Sequence, residues 1–171
     1  MQYRSLGKSN LKVSTLCLGT MMFGDQTDVA EAGRIVAHAH ERSVNFIDTA
    51  DVYSTGGSET MVGQLLQGQR HAWVLATKLG NKMSGRVNEG HYSRSWMLRE
   101  VEASLQRLQT DHIDNLYLHR DEHDMDMDET LQALNTLLQS GKIRYWGVSN
   151  FRGWRISEMV HHARQIGMPG P

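Results

Sequence analysis

The stretch "FIDTADVYSTGGSE" (residues 46–59) begins as an apolar strand and then changes to carboxylates, hydroxyls and glycines. Its start is typical of a strand covered on both faces, as in a parallel sheet. The strand delivers Asp48 to its end, and the loop that follows contains Asp51 and Tyr53, before a helix that we predict to begin near Ser58. This order predicts one β/α unit with functional side chains in the loop after the strand.

Four other segments also have the composition of buried strands. Together with residues 44–50, the predicted strands are residues 14–19, 73–79, 113–119 and 143–150. A helical pattern follows each strand, so the chain predicts a β/α unit repeated five times.

The helical patterns have their own start and stop signals. The first begins with Asp28 and Glu31 in the spacing of a capping box. Residues 93–108 carry apolar side chains at three- and four-residue spacing, which indicates one buried stripe. In the fourth helix, Asp128 is the predicted N-cap and Gly141 the predicted C-cap.

Alternation of strands and helices predicts parallel strands joined by right-handed crossovers, in an open doubly wound sheet or in a (β/α) barrel. Every predicted strand ends in polar or conformationally special residues. These residues are Gly19 and Thr20, Asp48, Lys78, His119, and Ser149 with Asn150. An open sheet concentrates its site at one switch point, whereas a barrel gathers all the carboxyl ends around one mouth. We therefore predict an α/β fold that forms part of a TIM barrel.

Length, composition and charge limit the kinds of protein that the sequence can encode. A chain of 171 residues with 39% hydrophobic residues is sufficient for one globular domain. A net charge of −1 gives no field that would attract nucleic acid or an anionic membrane. Cys17 is the only cysteine, no apolar run approaches the length of a membrane helix, and the N-terminal sequence lacks the pattern of a signal peptide. These features favour a cytoplasmic protein with small-molecule or protein partners.

The chain resembles the aldo-keto reductases over essentially its whole length. The resemblance rests on four motifs in the same order and at the same separations, "FIDTADVY", "ATKLG", "IDNLYLH" and "GKIRYWGVSNF". The resemblance implies a catalytic set formed by Asp48, Tyr53, Lys78 and His119. It also implies that NADPH or NADH is the cofactor and that a small aldehyde or ketone is the substrate.

The same resemblance implies which residues contact the cofactor. Ser149 and Asn150 match the pair that contacts the nicotinamide at the end of the fifth strand, and Asp48 lies beside them at the mouth. Thr20 and Met21 occupy the contact region of the first loop.

The residue types also fit this chemistry on their own. Reduction of a carbonyl by hydride requires a proton for the new alkoxide, and a tyrosine hydroxyl can donate one when an ammonium group lies nearby. Lys78 is a candidate for the ammonium, and Asp48 for the group that keeps it charged and oriented. His119 can donate a hydrogen bond that places the carbonyl oxygen.

Simpler interpretations stay open for several of these residues. Ser149 and Asn150 also suit a helix cap before the last helix. Residues 119–123, "HRDEH", satisfy the H-x-x-E-H pattern of one class of metalloprotease, but that pattern requires a helix and this one follows a strand. We therefore predict a loop there and no metal site.

A complete barrel of this type has eight units, and this chain has five. We therefore expect residues 1–171 to be a single partial barrel domain, truncated before the sixth strand, that binds NADPH or NADH weakly. The alternative is a catalytically weak or inactive partial barrel that serves as an assembly or binding module. Because an unclosed sheet exposes unpaired edges, at residues 14–19 and 143–150, we also predict a homo-oligomer formed through the open side.

Overall fold

The computed structural model describes residues 1–171 and contains seven strands in two sheets. An antiparallel hairpin of β1 and β2 precedes a five-stranded parallel sheet whose strands, β3 to β7, are in sequence order. The strands are β1 (Tyr3–Ser5), β2 (Lys12–Ser14), β3 (Leu18–Gly19), β4 (Phe46–Asp48), β5 (Val74–Leu79), β6 (Ile113–Leu118) and β7 (Ile143–Val148).

One helix follows each strand of the parallel sheet. The helices are α1 (Val29–Glu41), α2 (Gly57–Leu65), α3 (Arg94–Leu108), α4 (Met127–Gln139) and α5 (Gly153–Gln165). This arrangement confirms the predicted α/β fold, a parallel sheet with alternating helices like part of a TIM barrel. No helix combines the length and the apolar character that crossing a membrane requires.

The main core lies between the sheet and the helices. It contains alternate residues of the strands, such as Ile47 and Leu75, packed with apolar residues of the helices, such as Met97 and Leu134. All four of these side chains are less than 2% exposed. Because successive strand residues face opposite sides, the intervening residues lie on the other face of the sheet.

A smaller core lies on that other face and joins the hairpin to the sheet. Val13 of β2 packs there with Phe46, Val74 and Ala76, which lie in the first half of β4 and β5. Asn45 ties the two sheets together, since its Nδ2 atom donates to the Lys12 carbonyl at 3.0 Å. The hairpin therefore covers the amino-terminal ends of the strands.

The register places the carboxyl ends of the strands at one level. Asp48 lies opposite Ala76 of β5, and Lys78 of β5 lies opposite Tyr117 of β6. Leu118 lies opposite Val148 in β7. The loops that follow the strands therefore emerge from the same end of the sheet.

Several predicted boundaries were wrong, among them the C-cap of α4, which is Ser140 and not Gly141. The predicted first strand, residues 14–19, forms a strand only at Leu18–Gly19, since Ser14 belongs to the hairpin. The N-cap of α4 is Asp126, whose Oδ1 atom accepts from the Glu129 N–H at 2.9 Å, and not Asp128, which lies in the first turn. The helix starts earlier because Met127, 8% exposed, is packed in the core.

Candidate functional site

Asp48 and Lys78 form an ion pair at the carboxyl ends of two adjacent strands. The Lys78 Nζ atom donates to Asp48 Oδ2 at 2.5 Å and to the Thr49 carbonyl at 2.7 Å. The lysine side chain is 9% exposed, so its ammonium group depends on these two acceptors for compensation. Burial raises the pKa of the Asp48 carboxyl, while the charge of Lys78 and its hydrogen bond act against that rise.

Tyr53 and His119 lie beside this ion pair. The Lys78 Nζ atom is 4.8 Å from the centre of the Tyr53 ring. The ring centres of Tyr53 and His119 are 5.8 Å apart, with an interplanar angle of 82°. Tyr53 lies in the loop between β4 and α2, and His119 directly follows β6. The structure therefore brings all four predicted residues together at the end of the sheet.

The surroundings of His119 favour a neutral imidazole. Burial, followed by the positive charges of Lys78 and Arg120, lowers the pKa of His119 to about 4. Its Nδ1 atom is buried and has no hydrogen-bond partner, and its backbone N–H donates to the Leu79 carbonyl at 2.9 Å. A neutral imidazole has one N–H donor, so at pH 7 His119 can donate one hydrogen bond to an oxygen atom near Tyr53.

Thr20 belongs to a buried cluster of three hydroxyl groups. The Ser58 Oγ atom lies 2.9 Å from the hydroxyl oxygens of both Thr20 and Thr49, and the Thr20 hydroxyl donates to the Asp48 carbonyl at 3.1 Å. This cluster joins the ends of β3 and β4 to the first turn of α2. The Thr20 hydroxyl is thus engaged inside the protein, whereas Met21 beside it is 55% exposed.

The turn after the candidate tyrosine has an unusual backbone. Ser54 and Thr55 have left-handed φ angles of 49° and 52°, and Gly56 follows with φ 88°. A left-handed conformation is unfavourable for a β-branched residue and persists where the surroundings impose it. The Ser54 hydroxyl donates to the Phe23 carbonyl at 3.0 Å, and a Cβ on Gly56 would approach the Cδ atom of Arg107 to 2.7 Å. These contacts hold the turn from both sides.

Ser149 and Asn150 follow β7 at the same end of the sheet. The Ser149 N–H donates to the Leu118 carbonyl at 2.9 Å. The side-chain amide of Asn150 donates to the His119 carbonyl at 2.9 Å and to the Ser149 hydroxyl at 3.1 Å. Asn150 is exposed, and its Oδ1 atom stays available as an acceptor. Neither residue caps α5, because the N-cap residue there is Arg152.

A cluster of buried charges behind the Tyr53 loop was not predicted from the sequence. Glu59, 0% exposed, accepts from the Thr77 hydroxyl at 2.6 Å and from Arg107 Nε at 2.6 Å. Arg107 also donates to Glu100. Asp51, 0% exposed, lies with this group, but neither of its carboxylate oxygens has a hydrogen-bond partner. The cluster joins residues far apart in the chain, and the sequence carries no signal of that pairing.

The "HRDEH" segment forms part of the loop between β6 and α4, as predicted. The His123 Nε2 atom lies 2.7 Å from Arg152 Nη1, and Glu122 accepts from Arg120 at 2.9 Å. The helix that would place both histidines on one face is therefore absent. The segment contributes His119 to the site, while Glu122 and His123 contact Arg120 and Arg152.

Comparison of the sequence with known proteins identifies a family and several relatives. A sequence model of the Aldo/keto reductase family matches residues 15–168. The chain is 40% identical to the Bacillus subtilis oxidoreductase YqkF over 98% of this chain and 55% of that protein. It is 38% identical to an Arabidopsis thaliana protein described as a probable voltage-gated potassium channel subunit beta, over 100% of this chain and 53% of that protein.

Among solved structures, the chain superposes on the holo form of the aldo-keto reductase AKR11C1 from Bacillus halodurans. The TM-score is 0.86 and the sequence identity is 42%, over 95% of this chain and 54% of that one. The chain therefore spans about half the length of the relatives that it matches.

Proposed function

Because the chain belongs to the aldo/keto reductase family, we propose that it acts as an oxidoreductase that reduces aldehydes or ketones to alcohols with NADPH or NADH. The observation that carries the proposal is the position of the Lys78 ammonium, which contacts Asp48 and lies 4.8 Å from the centre of the Tyr53 ring. The His119 ring also lies beside Tyr53, with the two ring centres 5.8 Å apart.

Tyr53 is the proposed proton donor. Reduction adds a hydride to the carbonyl carbon and a proton to the carbonyl oxygen, and a nicotinamide cofactor, when bound, supplies the hydride. The Tyr53 hydroxyl gives its proton to the oxygen, and the Lys78 ammonium stabilises the phenolate that results. Asp48 keeps the ammonium charged and fixes its direction through their hydrogen bond at 2.5 Å.

His119 is proposed to place the substrate. As a neutral imidazole, it donates one hydrogen bond to the carbonyl oxygen without competing with Tyr53 as an acid. The low pKa of His119, about 4, supports this role at neutral pH.

Ser149 and Asn150 are the residues that we propose for contact with the nicotinamide, next to Asp48. The free Oδ1 atom of Asn150 suits a carboxamide N–H, and the exposure of Met21 suits an apolar contact. Thr20 fits less well, because its hydroxyl is buried in the cluster with Ser58. None of these residues is a cation that would hold a phosphate, so we propose weak binding of NADPH or NADH by this chain.

Replacement of the proposed proton donor tests the activity. Tyr53→Phe should lower the NADPH-dependent reduction of an aromatic aldehyde by about 10²–10⁴-fold, the usual contribution of a general acid, and leave the circular dichroism spectrum unchanged. Tyr145→Phe is the matched control, since Tyr145 is also half-buried, on β7. EDTA should have no effect. Activity in Tyr53→Phe within tenfold of the wild type would contradict the assigned role.

An assembly or binding module is the second candidate function. It is favoured by the two open edges of the sheet, because β3 and β7 each pair with only one strand, and by Leu16, which is 64% exposed beside β3. A homo-oligomer formed through these edges would pair their free backbone groups. Calorimetric titration with NADPH separates the two candidates. Micromolar or weaker binding with measurable turnover supports the reductase, and no binding at millimolar NADPH supports the module.

A further inference from the structure

Asp51 is a buried carboxyl group in the loop that carries Tyr53. It is 0% exposed, and neither of its side-chain oxygens has a hydrogen-bond partner. Its backbone N–H donates to the Lys78 carbonyl at 3.1 Å, which ties the residue to the end of β5. A carboxylate without hydrogen bonds is among the most costly groups to bury, so its state of protonation matters for the loop.

The groups that face Asp51 cannot neutralise a negative charge there. They are Glu59 from α2, Glu100 and Arg107 from α3, and Tyr92 from the loop before α3. Arg107 is the only cation among them, and it already donates to both glutamates. Ionised Asp51 would be a third carboxylate around one guanidinium group.

The electrostatics agree with this geometry. Burial, followed by the charges of Glu59 and Glu100, raises the pKa of Asp51 to about 8. The backbone N–H of Val52, which does not meet the geometry of a hydrogen bond, and the Arg107 guanidinium lower the pKa by less. Asp51 therefore carries a proton at neutral pH and loses it under mildly alkaline conditions.

The loop between β4 and α2 links the protonation of Asp51 to the position of Tyr53. The Tyr53 N–H donates to the Ala50 carbonyl at 3.2 Å, so the tyrosine is in the same tight turn as Asp51. Gly56, the last of the left-handed residues that follow, lies against Arg107, the same cation that contacts Glu59 and Glu100. A charge on Asp51 would be buried without a hydrogen bond, so ionisation favours positions of this turn in which the carboxylate reaches water.

We propose that Asp51 is a positioning residue for Tyr53, which it holds beside Lys78 only while its own carboxyl group is uncharged. The inference rests on the role proposed above for Tyr53 and adds a second ionisation that controls the geometry of the site. Asp51 itself contacts neither substrate nor cofactor.

The first arm of the test is a titration that needs no activity. In the 171-residue protein labelled with ¹³C aspartate and tyrosine, the Asp51 carboxyl resonance should titrate with a midpoint near pH 8, and the Tyr53 ring resonances should shift with the same midpoint. In Asp51→Asn that shift of the ring should disappear, and in the exposed control Asp25→Asn it should persist. A midpoint for Asp51 below about pH 6, or Tyr53 resonances that ignore its titration, would overturn the proposal. The wild-type titration is decisive even if Asp51→Asn does not fold.

The second arm is kinetic and distinguishes the two proposals. The ratio of kcat/KM for Asp51→Asn to that of the wild type should rise about tenfold from pH 7 to pH 9, because a group with a pKa near 8 changes from about nine-tenths to one-tenth protonated over that range. The ionisation of Tyr53 affects both proteins and cancels in the ratio. A constant ratio would contradict the positioning role. Coupled NMR titrations in a protein that reduces no carbonyl would instead refute the proposed function and leave the coupling of Asp51 to Tyr53 intact.

Discussion

Removal of either partner of the Asp48–Lys78 pair should have unequal consequences for folding. Asp48→Ala leaves the Lys78 ammonium, 9% exposed, with only the Thr49 carbonyl as a partner. An uncompensated buried charge of this kind costs about 3–5 kcal/mol in the free energy of unfolding. Lys78→Met leaves a carboxyl group that is 24% exposed and can therefore be hydrated. We expect that variant to lose only about 1–3 kcal/mol.

A double-mutant cycle measures the coupling between the two residues. The double variant Asp48→Ala with Lys78→Met should lose about 1–3 kcal/mol less than the sum of the single losses, since each single change strands the other group. Urea unfolding followed by circular dichroism at pH 7 gives the four free energies. Asp48→Asn is the matched control, because it keeps an acceptor oxygen for the Lys78 ammonium and removes only the charge. Its loss should be smaller than that of Asp48→Ala.

Two results would refute this reasoning. Equal losses for Asp48→Ala and Lys78→Met would mean that the lysine charge is not buried as the structure has it. A coupling below about 0.5 kcal/mol would mean that the pair behaves as an exposed salt bridge.

Three further predictions concern packing, pH and assembly. Gly63→Ala should destabilise the protein by about 1–3 kcal/mol, because the new Cβ would lie 2.5 Å from the Arg107 carbonyl oxygen. Gly33→Ala, whose Cβ would have its nearest contact at 3.5 Å, should instead stabilise α1 by up to about 1 kcal/mol. Equal urea midpoints for the two variants would contradict this prediction. The wild type should lose stability relative to His119→Gln as the pH falls from 6.5 to 4. In that range the imidazole of the unfolded chain takes up a proton, whereas that of the folded protein, with a pKa of about 4, does not. A difference in melting temperature between the two proteins that stays constant across this range would argue against the buried environment of His119. Light scattering after size exclusion should give a dimer or larger species, and a monodisperse monomer near 19.4 kDa would count against assembly through the open edges.

The sequence could predict the parallel sheet because its signals are local. Buried strands such as residues 74–79 are short, apolar and followed by helical patterns, and their ends carry Asp48, Lys78 and His119. In a parallel sheet, the loops after the strands emerge from one end, so residues that are far apart in the chain meet there. That rule suffices to bring the candidate catalytic residues together.

The sequence could not predict features that depend on packing between distant elements. The hairpin of β1 and β2 was missed because its strands have three residues each, too few for a periodic pattern. The capping residue of α4 was misassigned because two aspartates, Asp126 and Asp128, both suit the position, and the burial of Met127 decides between them. The ion cluster of Glu59 and Arg107 joins α2 to α3 and leaves no pattern in either helix alone.

The hairpin at the amino-terminal end has a consequence for the dielectric environment of the site. Val13 and the side chains packed with it form an apolar layer below the carboxyl ends of β4 and β5. The Lys78 ammonium, whose side chain is 9% exposed, lies beyond this cluster on the same strand, and charges beside apolar surroundings attract each other more strongly than in bulk water. The hairpin thus lowers the local dielectric constant, although it lies at the opposite end of the strands from the candidate site. It thereby strengthens the interaction between Asp48 and Lys78.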